Sequence, residues 1–116
     1  MASIGGVFGN SYFDSVSGLQ DANLRLNVSA NNVANANTNG FQPDWVESVA
    51  EKTGGVRGVV FEANAGILHT KETSESQTDY ATEVVNLTLA RRAFDANLQA
   101  LKSQQAADQA VTNIVG

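Results

Sequence analysis

Ser29-Ala-Asn-Asn-Val-Ala-Asn-Ala-Asn-Thr-Asn-Gly-Phe41 is the stretch on which the fold of this 116-residue chain turns. Ahead of it Leu19, Leu26 and Val33 recur every seven residues, with Val16 and Ala30 interleaved, the pattern of an amphipathic helix with a narrow apolar stripe. The stretch itself reads as the helix exit. Asn35, Asn37 and Asn39 tolerate left-handed backbone and bond their own turns, Gly40 supplies positive φ, and Phe41 folds back on the last turn. A stripe this narrow needs a partner helix.

Working outward, residues 1–10 are Gly-rich and read as frayed, so Asn10 or Ser11 caps a first helix reaching about Asn35, roughly 35 Å at 1.5 Å per residue. Gly18 is a mild weakness inside it. Pro43 forbids its continuation. Gly54–Glu62 and Gly66–Lys71 read as two short strands around an Ala63-Asn64-Ala65 turn, a hairpin too small to stand alone. Trp45, beside Pro43 and Asp44, is expected to cover the turn.

From Thr78 or Asp79, either of which can act as N-cap, a helical pattern runs without Pro or Gly to Gly116, with Glu83 favourable to the dipole of the first turn. It spans about 54 Å. Its stripe is Val84, Leu87, Phe94, Leu98 and Leu101, drifting to Ala107, Val111 and Ile114 as at a stutter. The expected fold is mostly α: two long terminal helices pairing antiparallel as a coiled coil, the second about half as long again as the first, with a small β-hairpin segment between them. The segments are 1–41, 42–78 and 79–116. With small residues such as Ala30, Ala34, Ala93, Ala96 and Ala100 in the seams, burial barely offsets ordering entropy, so partner subunits are expected to complete the fold.

Acidic residues outnumber basic ones 12 to 7, and the excess sits mostly in residues 41–78. A chain of this sign with no basic stripe is not drawn to nucleic acid or to direct contact with anionic lipid. The absence of cysteine excludes disulfides, thiolate metal sites and a Cys nucleophile. Residues 1–10 lack the basic and apolar regions of a cleaved signal peptide, so export, if it occurs, is expected to leave the N-terminus intact.

Two segments carry a resemblance. Gly18-Leu19 followed by Leu26-Asn-Val-Ser-Ala-Asn-Asn-Val-Ala-Asn-Ala-Asn-Thr-Asn-Gly-Phe41 resembles the N-terminal signature of the bacterial flagellar axial proteins, the rod and hook proteins of the basal body. Glu83-Val-Val-Asn-Leu-Thr-Leu-Ala-Arg-Arg-Ala-Phe-Asp-Ala-Asn97, continuing to Asn113-Ile114, is similar to their C-terminal hallmark. The resemblance covers 11–41 and 79–115. It implies a rod subunit whose terminal helices form a shared coiled-coil layer in a hollow shaft crossing the periplasm. It also implies export through the flagellar type III apparatus without signal cleavage, and self and other axial proteins as partners. The middle segment is shorter than in the rod and hook proteins, and the His-Pro and Gly-Tyr-Val landmarks of one proximal rod type are absent.

The residues expected to carry assembly are Leu19, Leu26, Ala30, Asn31, Asn32, Val33, Asn35, Thr38, Gly40 and Phe41 at one end. At the other they are Glu83, Val84, Leu87, Arg91, Phe94, Asn97, Leu98 and Leu101. For the Asn cluster the plain alternative is a helix C-cap bonding only locally; the resemblance favours a turn whose amides, donors and acceptors at once, knit one subunit to the next. For the apolar residues, packing within the chain and between subunits are both open, since one seam can serve both. Arg91 and Arg92 read equally as a solvated pair beside Asp95 or as reaching an acidic residue of an adjacent subunit.

No catalytic, cofactor or metal site is expected. His69 is the only histidine and has no second ligand at metal spacing, and Gly54, Gly55 and Gly58 lack the Lys-Ser/Thr ending of a phosphate loop. A competing reading is a small secreted helical-hairpin effector or adaptor without catalytic activity, which the long middle segment and the lack of a Trp-x-Gly turn disfavour. A small hydrolase finds no support.

Overall fold

The computed structural model describes residues 4–63, 76 and 78–115. Helix α1 spans Ile4–Ala34 and helix α2 spans Tyr80–Val115. Between them β1 (Trp45–Ala50) and β2 (Val56–Phe61) form a two-stranded antiparallel sheet. The chain is mostly helical with a small hairpin, as the sequence leads one to expect. Two details differ. Helix α1 starts at Ile4, so the two helices, 31 and 36 residues long, are near equals. The hairpin pairs β2 with the segment before it, from Trp45↔Phe61 to Ala50↔Val56. The expected partner strand at 66–71, which includes His69, lies outside the described residues.

The hairpin turn is chemically specified. Glu51 N donates to Gly55 O at 3.0 Å and Gly54 N to Glu51 O at 3.0 Å, while Gly54 (φ 98°) and Gly55 (φ 79°) take the left-handed backbone that glycine tolerates. Trp45 is a strand residue rather than a turn cover, and its ring stacks on Phe61 with centroids 5.5 Å apart.

The helices lie side by side and antiparallel. Asn32 bonds Glu83, Gly18 abuts Asn97, and Ser15 bonds Gln104, so positions in α1 rise as their partners in α2 fall. At the far end the phenol of Tyr12 is raised above its ordinary pKa, by burial first and by the charge of Asp108 second. In α1 the positions turned to α2 are Ser15, Gly18, Ala22, Arg25, Ser29 and Asn32, spaced three and four apart. Ser15, Ala22, Ser29 and Asn32 are buried. In α2 the matching set is Glu83, Leu87, Ala90, Phe94, Asn97, Leu101, Gln104, Asp108 and Val111, all buried or half-buried and again at unbroken spacings of three and four. The stutter expected toward Ala107 and Ile114 is therefore absent: both are exposed, and polar Gln104 and Asp108 continue the seam.

The hairpin docks on the neighbouring flank of α1. Ser48 Oγ donates to Asp21 Oδ2 at 2.6 Å and accepts from Arg25 Nε at 3.1 Å, and Val56 N donates to Ser17 Oγ at 3.0 Å. Gly58 lets the strand approach closely, because a Cβ there would stand 2.6 Å from Asp21 Oδ1, 2.8 Å from Leu24 Cδ2 and 3.3 Å from Val46 Cγ1. The exposed Arg57–Glu51 pair at 2.9 Å adds little. The strands pack on α1 rather than on α2, and a groove of about 430 Å³ runs between α2 and β1 over Arg25, Val28 and Ser29. The molecule is a plate of 67 × 24 × 14 Å.

Gly58→Ala is expected to destabilise the docked hairpin by about 1 kcal/mol, since the Asp21 carboxylate and the Leu24 methyl must shift to admit a Cβ. Urea unfolding followed by the fluorescence of Trp45, the one tryptophan, measures it.

Candidate assembly site

The helix exit is built much as its residues suggest. Asn35 N donates to Asn31 O at 3.1 Å, Ala36 N to Val33 O at 3.1 Å, Thr38 N to Asn35 O at 3.0 Å and Phe41 N to Thr38 O at 3.1 Å. Side chains reinforce the turn: Asn35 Nδ2 donates to Asn31 O at 2.9 Å, and Thr38 Oγ1 donates to Asn35 Oδ1 at 3.1 Å. Gly40 has φ 77°, whereas no non-glycine residue among those described has positive φ. The asparagines thus contribute through their amides, and the left-handed backbone falls to Gly40 alone.

Asn32 behaves differently from its neighbours. It is the largest side chain buried to this degree among the described residues, 1% exposed. Its Nδ2 donates to Asp44 O at 2.8 Å and to Glu83 Oε1 at 3.0 Å, and its Oδ1 accepts from Asp44 N at 3.0 Å. One carboxamide therefore ties α1 to the segment just ahead of β1 and to the first turn of α2. Both amide hydrogens are used, which only Asn or Gln can offer in so small a space. Glu83 is placed for this by its cap: Asp79 Oδ1 accepts from Ala81 N at 3.0 Å, Asp79 Oδ2 accepts from Thr82 Oγ1 at 3.0 Å, and Glu83 N donates to Asp79 O at 3.0 Å. Glu83 is 4% exposed, and its Oε2 has no hydrogen-bond partner among the described residues.

The apolar stripe is not the seam. Small and polar side chains occupy the α1 face against α2, so Leu19, Leu26 and Val33 fall to its edge, half-buried, while Val16 and Ala30 are exposed. The physical reason is distance: at Gly18 the backbone comes so near the Asn97 amide that no Cβ fits, and leucines at these positions would force the helices apart. In α2, Leu87, Phe94 and Leu101 do face α1, with Leu98 beside them, whereas Val84 and Arg91 are exposed. On helical wheels Leu19, Leu26 and Val33 of α1 and Val84, Arg91 and Leu98 of α2 share one flank, the one turned away from the hairpin. Asn97 lies in the seam, its Nδ2 donating to Ala93 O at 2.8 Å. Asn31 and Thr38 are exposed; Asn35, Gly40 and Phe41 are half-buried.

The residues that a search for apolar periodicity passes over are Ser15, Ala22 and Ser29 in the seam, and Asp21, Ser17, Ser48 and Asp44 at the hairpin. A signal was available in the heptad of small residues at 15, 22 and 29 with Gly18 between. Among the described residues no group of three or more His, Asp or Glu side chains is placed to hold a metal, and no helix is long and apolar enough to cross a membrane.

Residues 15–42 match the model of the family described as flagella basal body rod protein, which supports the rod protein family named by the resemblance. The matched stretch runs from the first buried serine of α1 through the seam, the exit turn and Gly40. That family is structural, in the basal body, and its members assemble with other rod proteins. No curated protein matches the chain.

Asn32→Ala is expected to cost about 2–3 kcal/mol of stability, since it strands Asp44 N, Asp44 O and Glu83 without their buried partner. Glu83→Gln keeps an acceptor for Asn32 and is expected to cost less than Glu83→Ala. Exposed Asn31→Ala is expected to stay within about 0.5 kcal/mol of wild type. Urea unfolding monitored by circular dichroism ranks the four.

Proposed function

We propose that this chain is a structural subunit of the bacterial flagellar basal-body rod that polymerises through its terminal helices into the hollow drive shaft. The observation that carries the reading is the uncovered flank. Leu19, Leu26, Val33, Val84 and Leu98 come from both ends of the sequence, lie on one side of the helix pair, and are left partly or wholly open to solvent by their own chain. Single exposed apolar residues are ordinary, but apolar residues from both helices gathered on one flank around Arg91 mark a surface for a partner. In this proposal segments 1–41 and 79–116 are the axial core, where the three-four spacing supports coiled-coil pairing, and 42–78 is an insertion that decorates it.

Weak self-sufficiency supports the same reading. Ala22 and Ala90 are the buried apolar residues among those described, so a single copy retains little hydrophobic stabilisation and gains it on assembly. That suits passage of an unfolded chain through the type III export apparatus, without signal cleavage, to a periplasmic rod. The partners are then further copies and other axial proteins. No catalytic step is assigned to any residue, because shear in a shaft is carried by many small contacts.

The Leu19→Glu/Leu26→Glu variant is expected to weaken self-association by about 2 kcal/mol or more per site while leaving the seam intact, read by sedimentation velocity with circular dichroism as the folding control. In cells the same variant is expected to abolish motility and complete rods. The proposal fails if deleting the gene leaves motile cells with intact rods in electron micrographs of purified basal bodies.

A further inference from the structure

The hairpin's outer face presents a second surface that the helix flank does not explain. Its inner face is spent on α1 through Ser48 and Gly58, so the alternation of strand residues puts Trp45, Glu47 and Val49 on the other face, where Trp45 also edges the groove toward α2. Trp45 is 48% exposed and Phe61 40%, and their rings stack at an interplanar angle of 13°. Glu47 stands two residues along the same face, exposed and without an ion pair among the described residues. A broad aromatic face with a carboxylate at its edge is a receiving surface for a guanidinium, which stacks on the ring while its N–H groups turn to the acid.

The chain also carries the complementary group. Arg91 and Arg92 are exposed on α2 and form no ion pair among the described residues, although Asp95 is four residues from Arg91. Arg91 points away from Trp45 of the same molecule. The α2 residues that line the groove beside Trp45 are Asn86, Leu89, Ala90 and Ala93; Arg91 projects from the opposite flank, and the body of α2 stands between. From this placement we infer that the hairpin of one copy receives Arg91 of a second copy, with the guanidinium laid on the Trp45–Phe61 stack and paired to Glu47. This deepens the assembly reading above and rests on it.

The two surfaces lie on opposite flanks of the helix pair. A contact between different surfaces on opposite sides is heterologous, so each copy that receives an arginine still offers one of its own. Such a contact propagates. It does not close into a two-fold dimer.

The absence of cysteine allows a direct test in the full chain. Val49→Cys, beside Glu47, is mixed with Thr88→Cys, beside Arg91, and oxidised. A disulfide-linked pair is expected from this mixture, and little from Val49→Cys with Thr112→Cys on the same helix. Glu47→Arg alone and Arg91→Glu alone are each expected to lower the cross-linked yield about tenfold, and combining them in the mixture to restore it. Equal cross-linking at positions 88 and 112, or charge reversals without effect while large assemblies still sediment, overturns the arginine contact and leaves the helix flank standing. A chain that neither cross-links nor sediments as more than a monomer at any concentration overturns both.

Discussion

Asn32 offers two donors and an acceptor in a side chain small enough to sit between two helices and the segment just ahead of β1, and all three functions are engaged in a place that water does not reach. Its bond to Glu83 sets where α2 begins relative to α1, and its paired bonds to the Asp44 backbone set where the chain turns toward the hairpin. The register of everything downstream follows. A seam of serine, alanine and glycine would slide easily, because small side chains interlock weakly. A buried polar pair that bonds in one alignment only is what makes such a seam single-valued.

The rest of the architecture extends that constraint. Close approach at Gly18 and the small residues every seven positions keep the helices near enough for the Asn32 to Glu83 bond to form. Glycine recurs on the adjacent flank, where Gly58 lets β2 lie against Asp21 and Leu24. The molecule is consequently thin, and a thin plate buries little. Leu19, Leu26, Val33 and Val84 sit at its edges, where a partner would add burial. In the proposed assembly, the apolar surface that one thin copy leaves open is what further copies would cover.

The Asn-rich exit combines two roles that look alike in sequence. Asn31 and Asn35 trim the end of a helix by local bonds, as asparagines in any C-cap do, while Asn32, one position away, points inward and joins the ends of the chain. Helical geometry separates them: 100° per residue turns one asparagine to solvent and the next into the seam. The N-terminal and C-terminal signatures are joined through space by that residue. Their shared flank, rather than the seam, is where apolar side chains from both remain to be covered.

The existence and order of the two long helices, the exit at Gly40 and the cap at Asp79 follow from local chemistry, since caps, glycine φ and Pro43 act over a few residues and are legible in sequence. The resemblance at residues 18–41 was legible for the same reason. Which face of α1 meets α2 was not, because hydrophobic periodicity points to Leu19, Leu26 and Val33, whereas close packing selects the smaller Ser15, Ala22 and Ser29. The hairpin partner was also hidden: Trp45–Ala50 has no turn residues of its own and becomes a strand only by pairing with Val56–Phe61 and docking on Asp21 and Arg25. Local propensity determined the elements. Contact across the chain decided their faces, their register and the burial of Asn32 against Glu83, because those depend on distances between residues 51 positions apart in sequence.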